Sequence, residues 1–141
     1  HQSLRAGGWV GRSSPMHCTA SGRALLFDSD DELIEALTAE ALRTPISTLA
    51  APKDIDELLA RIREERRQGY AVASEEIEIG LTSVSAPVRD RNNTLIAVVN
   101  VSGPTSRLIT RVEDIAKLLL TAGCAIERSL AVPTQPARAR R

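Results

Sequence analysis

Residues 77–107, IEIGLTSVSAPVRDRNNTLIAVVNVSGPTSR, constrain the fold of this chain more than any other stretch. They hold two apolar, β-branched runs, about Leu81 to Val88 and about Leu95 to Ser102. Such runs read as strands. Between them Arg89, Asp90, Arg91, Asn92 and Asn93 supply the Asp and Asn that tolerate turns and left-handed backbone. Gly103-Pro104 then stops the second strand, because proline cannot donate to a ladder.

Side chains alternate along a strand, so each run has two faces. Val84, Ala86 and Val88 share one face of the first strand, and Leu81, Ser83 and Ser85 the other. In the second strand Leu95, Ala97, Val99 and Val101 make a wholly apolar face, with Ile96, Val98, Asn100 and Ser102 opposite. With a turn from Asp90 to Asn93, Arg89 pairs with Thr94. Ser83 then opposes Asn100, and Leu81 opposes Ser102. Directly opposed residues point to the same side. Ser83, Asn100 and Ser102 are therefore expected as one polar cluster on an apolar face. A two-residue loop at Asn92-Asn93 keeps this result, and a three-residue loop breaks it. Polar side chains on a covered face need partners. Two readings stand: mutual or water-mediated satisfaction, and a small polar ligand.

The 141 residues suit one domain with a single core. Aromatic residues are only 2% (Trp9, Phe27 and Tyr70), so the core is aliphatic and a base-stacking surface for single-stranded nucleic acid is disfavoured. The 18 basic and 18 acidic residues cancel, which leaves no global electrostatic footprint for DNA. Cys18 and Cys124 are far apart, and no Cys/His cluster has zinc-ligand spacing. Residues 1–16 lack a signal-peptide pattern, and no apolar run approaches a membrane span. Cytoplasmic localisation is the expectation, with no membrane partner.

Along the chain, residues 1–10 read as a loop or edge segment. A helix is expected from Cys18 or Thr19 to about Phe27, capped by Thr19 or Ser21. Ser29 and Glu32 fit a capping box for a second helix with the stripe Leu33, Ile34, Leu37 and Ala41, ended by Thr44-Pro45. Asp54 and Glu57 open a third, with Ile55, Leu58, Leu59 and Ile62 inward. Arg61, Arg63, Glu64, Glu65, Arg66 and Arg67 are assigned to its solvated face, and Gly69 to its left-handed end. Tyr70-Ala71-Val72 restarts extended structure. A last helix is placed from Thr110, boxed with Glu113, to about Leu130, with Val112, Ile115, Ala116, Leu119, Gly123 and Ile126 on one face. Residues 132–141 read as a disordered tail. The order of three helices, a strand, a hairpin and a helix indicates an α/β or α+β fold with a mainly antiparallel sheet flanked by helices.

Little here suggests catalysis. Adjacent His17 and Cys18 point apart, and no third group orients them. Glu75 and Glu76 read as solvent-facing. No phosphate loop matches. The start of the first helix is a different case. Free N–H groups around Thr19 to Gly22 favour an anion there, and small Ala20, Ser21 and Gly22 let one approach; tight helix–sheet packing is the competing explanation.

Three stretches, PMHCTASGRALL at 15–26, RRQGYAVASEEIEIGLTSVSAPVRD at 66–90 and IAVVNVSGPTSR at 96–107, together resemble the effector-binding domain of IclR-type bacterial transcriptional regulators. With the helix after Arg107 the resemblance runs from Gly11 to Leu130. It implies a GAF-like fold that binds a small organic acid, needs no cofactor or metal, has no catalytic residue and assembles as a homodimer or homotetramer. Operator DNA would be bound only through a separate helix-turn-helix domain absent from these residues. Residues 11–131 would be the effector domain without its N-terminal helix and two strands. The resemblance places the effector pocket at Ala20, Ser21, Ala73, Ser83, Asn100 and Ser102. Family members frequently carry an acid at the position of Ala73, a cysteine or another small residue at that of Ser83, and serine at that of Asn100. The rival expectation is a free-standing ligand-binding or dimerisation module.

Overall fold

The computed structural model describes residues 13–44 and 48–130. Its elements are α1 (Ala20–Leu25), α2 (Asp31–Arg43), α3 (Ile55–Gln68), β1 (Ala71–Ser74), β2 (Leu81–Arg89), β3 (Leu95–Pro104), α4 (Thr105–Leu108), a 3-10 turn (Ile109–Arg111) and α5 (Val112–Leu130). The strands form one antiparallel sheet in the order β1-β2-β3. The expected α+β architecture is present. The segments read as an N-terminal loop and a disordered tail lie outside the described residues.

Two apolar layers sandwich the sheet. Ala20 and Ala24 of α1 pack with Ile34, Leu58, Ile62, Ala71 and Ala73 on one face. Val84 and Ala86 pack against Ala116 and Leu119 of α5 on the other. Small residues bring the layers close. A Cβ on Gly22 would lie 2.4 Å from the Met16 Cα, and one on Gly123 3.0 Å from the Pro87 carbonyl oxygen.

The helix boundaries follow their caps. Thr19 caps α1 and accepts from the Gly22 N–H. Asp30, one residue later than the expected Ser29, caps α2 through the Leu33 N–H. Asp54 caps α3 through the Glu57 N–H, and Gly69 closes it at φ 88°. The last helix starts later than expected. Thr105 opens the short α4 directly after the Gly103-Pro104 stop, and α5 begins only at Val112. In α2 the anticipated stripe is narrower: Ile34 and Thr38 are buried, while Leu33 and Leu37 are exposed. Ile126, at the far end of the α5 stripe, is also exposed.

The hairpin register differs from expectation by two residues. Ser83 opposes Ser102, and Ser85 opposes Asn100. Two irregularities produce the slip. Arg89 pairs with Leu95 instead of Thr94, because Asp90 accepts from the N–H groups of Asn92 and Thr94 while Asn93 turns left-handed at φ 62°. A bulge then skips Ile96, so that Val88 pairs with Ala97. Either shift alone would have turned every β3 side chain to the other face. Together they restore the faces.

A buried charge cluster closes the free edge of β1. Arg23 of α1 is fully buried and bonds Glu65 of α3 through Nε at 2.9 Å and Nη2 at 2.8 Å. It donates to Glu76 at 2.6 Å, to the His17 carbonyl at 2.9 Å and to the Val72 carbonyl at 2.6 Å. Glu65 in turn accepts from the Val72 N–H. Arg61 pairs with Glu76 from the outside at 2.9 Å. Burial works against the Arg23 charge, but its bonds to Glu65 and Glu76 outweigh this and raise its affinity for the proton. Both outward backbone groups of Val72 are thus occupied by side chains. Two sequence expectations are corrected here. Glu65 and Glu76 are each 3% exposed and do not face solvent. Glu65 follows Leu58 and Ile62 at helical spacing, so it turns inward with them.

Candidate functional site

The face of the sheet beneath α1 carries a continuous polar row. Ser21 Oγ lies 3.0 Å from Ser85 Oγ. Ser85 donates to Asn100 Oδ1 at 2.7 Å, and Asn100 Nδ2 donates to Ser102 Oγ at 2.7 Å. The row starts on α1, crosses β2 and ends on β3. Ser85 is fully buried, Ser21 half-buried, and Asn100 and Ser102 exposed. The row therefore begins under the helix and opens to solvent at the outer strand.

The strand pairing brings the other expected residues to the same place. Ala73, Ser83 and Ser102 are successive partners across β1, β2 and β3, as are Ala71, Ser85 and Asn100. Ala73 is 4% exposed and Ser83 half-buried. Ala20, fully buried at the start of α1, belongs to the apolar layer beside them. All six residues expected from the resemblance share this face. The sequence reading missed Ser85. The expected register placed Ser83 opposite Asn100, whereas the two-residue slip gives Ser85 that position. Its signal was present, since Ser83 and Ser85 alternate on one face.

The start of α1 is less open to an anion than its sequence suggests. Thr19 Oγ1 already takes the Gly22 N–H at 3.2 Å, and the helix has only 6 residues. What α1 offers the row is the Ser21 hydroxyl, held in place because Arg23, two residues on, is locked into the buried charge cluster.

The His17-Cys18 pair has no catalytic geometry. Burial, reinforced by the Glu76 charge, pushes the Cys18 thiol up to about 11, so it is protonated and weakly nucleophilic at neutral pH. Its Sγ faces the Pro15 carbonyl. Burial also holds the His17 imidazole below its ordinary range; the Glu76 charge opposes this and the Arg23 charge adds to it. Among the described residues no cluster of three or more His, Cys, Asp or Glu side chains could hold a metal ion, and no helix is long and apolar enough to cross a membrane.

A cavity of about 680 Å³ lies elsewhere, on the α5 side beyond the edge of β1, between Arg61, Glu65, Gln68, Tyr70, Thr110 and Glu113. It has no contact with the polar row. We place the candidate site at the row, because there the polar side chains converge on an apolar face from three separate elements. The cavity is a surface groove between charged side chains.

Residues 1–128 match the family described as the C-terminal part of the bacterial transcriptional regulator IclR. The chain belongs to this family. It is 36% identical over 107 residues to the HTH-type transcriptional regulator KdgR of Dickeya chrysanthemi. That match covers 74% of this chain but 34% of the relative, so the chain spans about a third of that relative's length. The C-terminal domain of E. coli KdgR superposes with a TM-score of 0.75 at 31% identity, over 86% of this chain and 74% of that one. The inducer-binding domain of a PobR double mutant from Acinetobacter, solved with 3-hydroxybenzoic acid, has the same fold, with a TM-score of 0.74 at 24% identity. It covers 83% of this chain and 67% of that one. The IclR family is one of transcriptional regulators, and its solved C-terminal domains share the antiparallel sheet and flanking helices described above.

Proposed function

We propose that this chain is the small-molecule-sensing part of an IclR-type transcriptional regulator and that its effector is an organic acid bound on the polar row. The observation that carries the reading is the hydrogen-bonded line Ser21–Ser85–Asn100–Ser102 on an otherwise apolar face. Hydroxyl and amide donors suit a carboxylate, and the apolar surroundings strengthen those bonds. Ser83 adds a further hydroxyl. Ala20 and Ala73 leave room for the body of the ligand, and no charged side chain of the row repels its anion. The PobR domain, which shares the fold, was solved with an aromatic hydroxy acid. The protein would act in the cytoplasm as a homodimer or homotetramer. An effector that binds one arrangement better than another shifts the equilibrium between them, and a helix-turn-helix domain of the kind named in the relatives would read that shift on operator DNA.

The test is a thermal-shift screen with benzoate, 3-hydroxybenzoate, succinate and hexanoate. A ligand at one hundred times its dissociation constant stabilises the fold by about 2.7 kcal/mol. Ser85→Ala and Asn100→Ala are expected to weaken binding by about 1.5–3 kcal/mol each for a hydrogen bond to a charged group. If an acid binds and substitutions at Ser21, Ser83, Ser85, Asn100 and Ser102 all leave its affinity unchanged, the site is not the row.

A further inference from the structure

The strand faces alone do not choose the hairpin register. Sliding β3 by two residues keeps every side chain on its own face. In the observed register Val84 opposes Val101 and Ala86 opposes Val99. Two residues away, Val84 would oppose Val99 and Ala86 would oppose Ala97, so apolar still meets apolar. The polar row is affected differently. Ser85 faces Asn100 in the observed register. In the other it would face Val98, with Ser83 opposite Asn100. Asp90 shapes the turn through the N–H groups of Asn92 and Thr94, but these bonds stay within residues 90–94. The point where pairing resumes, at Leu95, is held from outside the hairpin.

Asp28, in the loop between α1 and α2, supplies that hold. Its Oδ1 takes Arg89 Nη2 at 2.6 Å, and its Oδ2 takes Arg89 Nη1 at 2.8 Å. Oδ2 also accepts from the Leu95 N–H at 3.2 Å. Arg89 and Leu95 are the pair that closes the ladder at the turn. The forked contact fixes the guanidinium in direction as well as distance. Arg89 reaches on to the Asn93 carbonyl at 2.7 Å, which ties the turn to the same carboxylate. Asp28 is itself anchored. Leu26 and Phe27 before it are buried in the core, and Arg66 of α3 donates to the carbonyls of Leu26 and Ser29. Among the described residues Asp28 bonds to no member of the row.

We propose that Asp28 is a positioning residue that selects the β2–β3 register by clipping Arg89 to Leu95, and that without it the hairpin also populates the register two residues away. In that second register Leu95 moves one position along β2, opposite Val88, which carries its N–H off the carboxylate. Asn100 then faces Ser83, and its bond from Ser85 is broken. A loop residue outside the row thus decides which serine the row contains. The consequence for a ligand rests on the function proposed above, whereas the choice of register does not.

The experiment is NMR on the isotope-labelled full chain. Wild type is expected to show cross-strand contacts from Ser85 to Asn100 and from Ser83 to Ser102. Asp28→Ala should add a second set of signals for residues 95–103, with contacts from Ser83 to Asn100. Its population should rise at least about tenfold over wild type, the scale of one lost hydrogen bond to a charged group. Saturation-transfer measurements read that population where it is small. If the alanine variant does not fold, Asp28→Asn gives the same reading, since it removes the charge and keeps the shape. Glu65→Gln, which weakens the fold away from the hairpin, should keep the single register. A folded Asp28 variant with wild-type contacts and no second set would overturn the proposal. So would a second register that appears equally in Glu65→Gln, because general loss of stability would then be its cause. Calorimetry with 3-hydroxybenzoate and hexanoate separates this inference from the proposed function. Weaker binding in Asp28→Ala would tie the register to the row. A changed register with no acid bound by either protein would remove the proposed function and leave the selection by Asp28 standing.

Discussion

Glu65→Gln isolates the energetic role of the buried charge cluster. Arg23 has no exposed surface, and Glu65 takes its Nε at 2.9 Å and its Nη2 at 2.8 Å while also accepting from the Val72 N–H. The amide keeps one acceptor oxygen but removes the charge and points an NH₂ at the guanidinium. Arg23 and Arg61 then share the single carboxylate of Glu76. Removing one partner of a buried pair costs about 3–5 kcal/mol, because the remaining charge cannot return to water. That is a large part of the roughly 5–15 kcal/mol that holds a domain together. At about 2–4 °C per kcal/mol for a domain of this order of size, the melting temperature should fall by roughly 10 °C. Urea and thermal unfolding followed by circular dichroism give both numbers. Arg23→Met alone should be as harmful, since it strands Glu65. The double variant should be less destabilised than the sum, because Glu76 keeps Arg61 and no buried charge is left alone. A loss for Glu65→Gln under about 1 kcal/mol, the scale of an exposed pair, would refute the cluster as an integral part of the fold.

Gly22→Ala should destabilise by about 1–3 kcal/mol in urea, because its Cβ would meet the backbone of Met16 at 2.4 and 2.6 Å and neither atom can step aside. His17 should make stability fall with acid. Its folded imidazole is held below the ordinary 6.5, so the unfolded chain takes up the proton first, and the stability present above pH 6.5 is lost as pH drops below it. The slope from this group is at most about 1.4 kcal/mol per pH unit, and His17→Asn should flatten it; an unchanged slope in that variant would contradict the assignment. Of the 2 cysteines, only exposed Cys124 should react with a thiol reagent in the native protein. Cys18, buried with its thiol near 11, should react only after denaturation; rapid labelling of both would place Cys18 at the surface.

The legible parts of the fold are those governed by local rules. Asp54 and Gly69 bracket α3 as their capping chemistry dictates, and Val84, Ala86 and Val88 share a face because the strand period is two. The resemblance placed Ala20, Ser21, Ala73, Ser83, Asn100 and Ser102 in one region. The structure puts them on one face through partners that local rules do not supply, with α1 lying over β2 and β1 pairing outside it. Ser85 escaped because hairpin register depends on the turn. Asp90 extends the turn by one residue and the Ile96 bulge adds another, and an alternating pattern is blind to an even slip.

The sequence by itself determined the caps at Thr19, Asp54 and Gly69, the strand faces, the largely aliphatic core and the family, since each rests on neighbours a few residues apart or on matching motifs. Only the tertiary structure decided the fate of the charges. Arg23, Glu65 and Glu76 are separated by 42 and 53 residues along the chain, yet meet at hydrogen-bond distance. An acid on a helix is read as solvated until a partner is known, because burying it alone is prohibitive. Its partner came from packing α1 between α3 and the sheet. That same packing seals the β1 edge of the sheet with side chains.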